Sequence, residues 1–222
     1  MGRKLHIGGE VRAPGWEVLN AMPADYVDHL GNAMDLSKFP DGTFSDVYAS
    51  HIAEHFDFTG QIQSALREWH RVLEPGGLLS VSVPDLDTIA RLFLDKGRFS
   101  ADERFFLMMM MFGAHEDKYD YHVVGLNEEF LVGFLRDAGF STFERVQGFG
   151  IFEDTSAQTF GGDPRAASGS VAGHSGFVRR RDRDGQPGRS RASTGEGSVG
   201  RTRRTVGHLP YRLSALAGAA DS

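Results

Sequence analysis

The stretch ALREWHRVLEPGGLLSVSVPDLD, residues 65–87, decides the fold. Before Pro75 its apolar residues Ala65, Leu66, Trp69, Val72 and Leu73, joined by Ile62 just upstream, recur at spacings of three and four, which is one face of a helix. The spacing predicts a helix over Thr59–Glu74, capped by Thr59 and stopped by Pro75-Gly76-Gly77. Leu78–Val83 then reads as a short, strongly apolar strand, and after Pro84 the Asp85 side chain can cap a second helix through about Leu94. Helix, turn, buried strand, helix is an αβ unit that feeds a parallel sheet.

Working outward, the flanks repeat the alternation. Lys4–Ile7 alternates and runs into Gly8-Gly9; Trp16–Leu19, Tyr26–Leu30 and Phe44–Ser50 read as further strands. Residues 101–113 form an apolar helix that includes Met108–Met111, more typical of flexible core packing than of a thioether site. Another helix starts at Asn127, with Glu128 and Glu129 at its positive end and a staple between Leu126 and Leu131. Gly139 ends it, and Thr142–Phe149 is the last credible strand. The expected class is α/β: a Rossmann-like, doubly wound, mainly parallel sheet with helices on both faces.

The 222 residues leave room for one sizeable core. Cysteine is absent, which removes disulfides, thiolate zinc sites, iron–sulfur clusters and cysteine nucleophiles, and with them radical methyl transfer on a cluster. No run approaches the roughly 18 consecutive apolar residues of a membrane span, and no signal peptide precedes Lys4. The expectation is a cytoplasmic protein without a membrane partner. From Phe160 onward the chain holds eleven Arg and no Lys against five acids, a net of +6 against −6 for the whole chain, so residues 1–159 carry −12. An acidic body of that kind argues against a nucleic-acid partner. The division expected is a folded domain over 1–159 and a Gly/Arg/Ser-rich disordered tail over 160–222. The tail also resembles GC-rich DNA translated out of frame, and a basic segment that folds on an anionic partner is its functional alternative.

Ligands of doubly wound sheets sit over the carboxyl ends of the strands. Those ends hold Gly8-Gly9, Asn20, Asp35-Leu36, Ser50-His51 and Pro84-Asp85, a set suited to a nucleoside with a charged tail. Glycines admit a close backbone approach, and a carboxylate such as Asp35 can accept from an amino group or a ribose hydroxyl.

The segments KLHIGGE (4–10), PGW (14–16), VDHLGNAMDLSKFPDGTFSDVYASHIAEHF (27–56), ALREWHRVLEPGGLLSVSVPDLD (65–87) and GLNEEFLVGFLRDAGF (125–140) together resemble a small class I, methyltransferase type 11-like, SAM-dependent methyltransferase. The specific stretches are ASHIAEHF and REWHRVLEPGGLLSVSVPDL. The resemblance implies S-adenosylmethionine as cofactor, with Gly8 and Gly9 at its methionine part, Asn20 at the ribose position, Asp35 and Leu36 framing the adenine, and Ser50 and His51 facing it from the fourth strand. It also implies methyl transfer to an O or N nucleophile of a small-molecule acceptor. This chain departs from the pattern in two places. Asn20 stands where a ribose-binding carboxylate is expected, and the path from the first strand to the second is too short for a crossover helix, so no helix N-terminus faces the cofactor carboxylate.

His122 is the first candidate for a general base and His51 the second, since a neutral imidazole suits the proton that an acceptor loses. His115 lies near His122, in the segment HEDKYDYH. The string His51-Ile52-Ala53-Glu54-His55 also fits a zinc-peptidase pattern, with two His ligands and Glu54 activating water. It opens directly from a strand and lacks a distinct third ligand, so no metal is expected. The rival readings are a non-catalytic SAM- or nucleotide-binding module, or an inactive fragment. The related fold ends in an antiparallel strand, for which Ser170–Val178 is the one weak candidate. An NAD-dependent oxidoreductase is disfavoured because Gly8-Gly9 lacks the G-x-G-x-x-G spacing.

Overall fold

The fold is given by a computed structural model, which describes residues 2–146, 149 and 151–152, together with the backbone of 169–174. All of these fall within the unit formed by residues 1–180. Seven strands make one sheet in the order β3-β2-β1-β4-β5-β7-β6. They are β1 (Arg3–Ile7), β2 (Trp16–Asn20), β3 (His29–Leu30), β4 (Phe44–Ser50), β5 (Leu73–Val83), β6 (Thr142–Val146) and β7 (Gly169–His174). The first five pair in parallel, and β7 lies antiparallel between β5 and β6. The mainly parallel α/β sheet expected from the sequence is therefore present.

Two connections differ in detail from the prediction. Helix α1 (Gln61–Val72) begins after Gly60, and the Thr59 hydroxyl bonds Asp57 instead of capping it. The Pro75-Gly76-Gly77 turn lies inside β5: Phe44 pairs with Leu73 and Asp46 already pairs with Leu78, so the chain bulges outward between them. A bulge accommodates a proline, which has no N–H to give to a ladder. The third strand is shorter than Tyr26–Leu30, because the Val27 N–H turns back to the Ala24 carbonyl and the Asp28 carboxylate accepts from Val18 N.

Three helices follow β5. These are α2 (Leu86–Leu94), α3 (Ala101–Phe112), which starts with a capping box between Ser100 and Glu103, and α4 (Glu128–Asp137), where the Asn127 side chain accepts from Phe130 N. On one face of the sheet, Leu5, Ile7, Val47, Ala49, Leu79 and Val81 meet Ile62, Leu66 and Trp69 of α1 and Leu131 and Leu135 of α4 in a single core. Helices α2 and α3 build a second, smaller cluster from Ile89, Leu92, Phe99 and Leu107, against which Met110 and Met111 pack.

The opposite face carries His6, Tyr48 and Ser80, all buried. The connection from β1 to β2 contains no helix, as its length dictates. Aromatic rings cover this face instead: Phe152 lies 4.0 Å from His6, 4.8 Å from Tyr48 and 5.3 Å from Trp16 between ring centroids.

Strand β7 falls beyond residue 159, where the folded body was expected to end, and supplies the antiparallel strand for which the sequence held only a weak candidate. The other residues of 160–222, on which the expectations of disorder and of a shifted reading frame rest, lie outside the described residues. Among the described residues no helix is long and apolar enough to cross a membrane.

Trp69 is fully buried, and its Nε1–H donates to the Ala33 carbonyl at 2.8 Å, which ties α1 to the loop after β3. Trp69→Ala is expected to lower unfolding free energy by about 3–5 kcal/mol. Trp69→Phe should cost about 1–3 kcal/mol for the orphaned carbonyl and the smaller ring. Urea midpoints of the three proteins measure both.

Candidate functional site

The carboxyl ends of β1, β2 and β4 lie side by side, because these strands are direct neighbours in the sheet. Gly8 turns out of β1 with φ +72°, and its N–H donates to Leu19 O at 2.7 Å. A Cβ on Gly8 would lie 2.0 Å from Ile52 Cδ1, and one on Gly9 2.5 Å from His6 Nδ1, so neither position admits a side chain. Asn20 is turned into this loop: its amide donates to Gly9 O at 3.1 Å and its carbonyl oxygen accepts from Met22 N at 2.9 Å. Asn20 thus organises the glycine turn.

Asp35 is exposed. One of its carboxylate oxygens accepts from Ser37 N at 3.0 Å, and the hydrogen bonds from Ser37 hold the group below the ordinary carboxylate range. Its neighbour Leu36 is fully buried in the main core, with its N–H on Glu68 and its carbonyl on Arg71. Leu36 therefore fixes the position of Asp35 and presents no surface of its own. The Ser50 hydroxyl lies 2.8 Å from that of Ser82 across the β4–β5 pair.

His51 follows β4 with φ +55°, a left-handed backbone that side-chain-bearing residues seldom adopt. Its N–H donates to Ser82 O at 3.0 Å, and its Nδ1 bonds Glu54 Oε1 at 3.1 Å. Glu54 belongs to a short 3-10 turn, Ala53–His55, and is only 1% exposed. The Glu54 carbonyl accepts from Val123 N at 2.9 Å and from Val124 N at 3.3 Å. Those two bonds bring the segment after α3 onto the turn after β4, and His122 arrives with it. His122 Nε2 stands 4.0 Å from Glu54 Oε1, its Nδ1 bonds Met110 O at 3.1 Å, and its ring meets that of His55 edge-on at 4.9 Å.

Burial alone would push the Glu54 carboxyl up, but the hydrogen bond from His51 and the surrounding imidazoles outweigh it and hold it below the ordinary range. Burial pushes the His122 imidazole down, against the opposing pull of the Glu54 carboxylate, and so favours its neutral form. Pro84, Leu86, Ile89 and Met111 line a small cavity of about 10 Å³ beside Glu54 and His122. His115 stays outside this group: it is exposed, stacks on Tyr121 at 4.0 Å and bonds Phe112 O. The sequence singled out His51 and His122, and named Glu54 only within a peptidase pattern, not as the group that joins them. The signal was present in Glu54, placed between two histidines after a strand.

Residues 17–81 match the family model described as "Methyltransferase domain". That match covers 65 of the 222 residues, and over it the chain is similar to a methyltransferase domain. S-adenosylmethionine is the cofactor this family implies. No curated relative matches the sequence. Among solved structures, a possible exported protein from Bordetella parapertussis has TM-score 0.50 at 11% identity, over 79% of this chain and 62% of that one. A SAM-dependent methyltransferase from Archaeoglobus fulgidus has TM-score 0.49 at 14% identity, covering 78% of this chain and 86% of its own. The N-methyltransferase NodS from Bradyrhizobium japonicum, solved with S-adenosyl-l-homocysteine, has TM-score 0.45 at 14% identity and 78% coverage of each chain. The chain thus spans under two thirds of the first of these and most of the other two.

Asp35 is exposed and offers a carboxylate to a hydrogen-bond donor, whereas the space beside Gly8 and Gly9 is taken by Ile52 and His6. At the ribose position Asn20 donates to Gly9 O and accepts from Met22 N, and it brings no carboxylate to a ribose hydroxyl.

The His122 imidazole is expected to titrate below 6.5, and Glu54→Gln should lower it further, because removing the carboxylate removes the attraction that favours the imidazolium. Imidazole resonances followed by NMR across pH 4–8 (a range of about four units around the free value) test the sign. A rise in Glu54→Gln would contradict it.

Proposed function

We propose that the chain transfers the methyl group of S-adenosylmethionine to an O or N nucleophile of a small molecule. The observation that carries the reading is the juxtaposition of the strand ends with a partly buried imidazole, His122, beside the Glu54 carboxylate on the wall of a small cavity. Gly8 and Gly9 would take the methionine part of the cofactor and Asp35 the adenine, with Leu36 fixing Asp35 in place and Ser50 and His51 closing the end of β4. Asn20 shapes the glycine turn.

When bound, the cofactor supplies an electrophilic methyl whose transfer leaves the C–S electron pair on sulfur. The residues of the chain have mainly to position and to accept a proton. His122 Nδ1 carries its hydrogen toward Met110 O, which leaves the Nε2 lone pair to receive the proton that the acceptor loses. His51 is assigned the supporting part: it hydrogen-bonds Glu54 and so holds the carboxylate beside His122.

Calorimetric titration of S-adenosylhomocysteine into the full chain tests the cofactor assignment. Saturable binding is expected, weakened about tenfold or more by Asp35→Ala, as the loss of one charge-assisted hydrogen bond implies. His122→Gln should leave that affinity unchanged and lower turnover by about 10²–10⁴ with any acceptor found. A folded chain that binds no S-adenosylhomocysteine would sink the reading.

A further inference from the structure

Glu54 is buried, and only one of its carboxylate oxygens is used. Oε1 accepts from His51, whereas Oε2 is fully enclosed and has no hydrogen-bond partner among the described residues. A buried, unsatisfied anionic oxygen is costly, and such groups are matched by a proton, a water or a cation.

The neighbours of Glu54 point to a cation. His55 Nδ1 lies 3.1 Å from Tyr121 O, and His122 Nδ1 lies 3.1 Å from Met110 O. A carbonyl only accepts, so each imidazole carries its hydrogen on Nδ1 and keeps a bare lone pair on Nε2. One ligand atom from each of Glu54, His55 and His122 lies within 4.8 Å of the other two. Two imidazoles and a carboxylate thus stand within reach of a single ion. Metal-bound histidines commonly present this arrangement, the far nitrogen being held by a carbonyl that fixes tautomer and ring orientation.

We propose that Glu54, His55 and His122 form a binding site for a first-row divalent transition ion, with Zn²⁺ the expected occupant. Two imidazole nitrogens and one carboxylate oxygen suit Zn²⁺, Co²⁺ or Fe²⁺ and do not suit Mg²⁺ or Ca²⁺, which take oxygen ligands. Ligands about 2.1 Å from a tetrahedral ion stand about 3.4 Å apart, so binding draws the three side chains together by about 1 Å. Three protein ligands leave a fourth position, and the cavity beside Glu54 and His122 offers room close to that of one water. The ligand set differs from the one the His51–His55 string suggests as a peptidase pattern. Here Glu54 is a ligand, and His122, supplied from the far side of α3, replaces His51. His51 becomes a positioning residue that donates to Oε1 and holds the carboxylate beside the other two ligands.

The site itself rests on this geometry, and its bearing on turnover rests on the methyltransferase reading. An ion and a proton compete for the same Nε2 of His122, so metal loading removes His122 as a base.

The test uses the full chain, stripped with chelator and titrated with Co²⁺ followed by visible absorption, then with Zn²⁺ in competition with a chromophoric chelator. One equivalent with a low-symmetry Co²⁺ spectrum is expected. Glu54→Gln, His55→Ala and His122→Ala should each weaken binding at least tenfold, and His115→Ala should not. His55 is partly exposed, so His55→Ala keeps the test decisive if the Glu54 variant unfolds. Binding that all three ligand variants leave unchanged, or no binding by a folded chain, overturns the proposal. S-adenosylhomocysteine titrated into the same samples separates the two readings. Cofactor binding without metal binding defeats only the ion site, and metal binding without cofactor binding defeats only the methyltransferase assignment.

Discussion

Two backbone hydrogen bonds, from Val123 and Val124 to the carbonyl of Glu54, join the turn after β4 to a segment far along the chain, and the candidate site depends on that junction. The turn is fixed from one side by β4, whose pairing with β1 and β5 sets where it leaves the sheet. The later segment is fixed from the other side by α3, through the bond from His122 N to Phe112 O. Between these anchors the Glu54 side chain has nowhere to go but inward. Its burial then governs everything nearby: the ionised carboxylate needs His51, His51 needs a left-handed backbone to reach it, and His122 is held beside it in a neutral form. A buried charge of this kind adds little to stability, and its use lies in fixing one arrangement of the groups around it.

The short passage from β1 to β2 has consequences of its own. Without a crossover helix, the face of the sheet that bears His6, Tyr48 and Ser80 is left for aromatic rings to cover, and Phe152 serves all three neighbouring rings at once. The glycine turn loses the helix N-terminus that would otherwise face an anion. What remains at this end is shape: Gly8 in a left-handed conformation, Gly9 pressed on the His6 ring, and Asn20 stitching the loop to β2.

Much of the fold was legible because period and punctuation agreed in the middle of the chain. The α1 face was written in Ile62, Ala65, Leu66, Trp69 and Val72, all of them buried, and the α4 cap in Asn127. The reading went astray where a local signal met a tertiary override. Pro75-Gly76-Gly77 looks like a stop, yet the ladder continues past it because β4 supplies partners on both sides of a bulge. Tyr26–Leu30 has strand composition, but Asp28 satisfies the Val18 N–H with its side chain and so shortens β3. Strand β7 carries almost no apolar signal in GSVAGH. It is held by backbone ladders to β5 and β6, which composition cannot reveal.

By itself the sequence determined the α/β class, the parallel centre of the sheet, the identity of the strand-end residues and the exclusion of cysteine chemistry. These follow from local periodicity and residue type, which need no partner. Only the tertiary structure decided that Asn20 faces its own loop, that Leu36 is core, and that Glu54 meets His55 and His122. Those facts depend on which distant segments share a surface. A carboxylate next to a histidine in sequence has the same composition whether it is solvated or sealed, and the sealing is done here by residues of α2, α3 and the segment after α3.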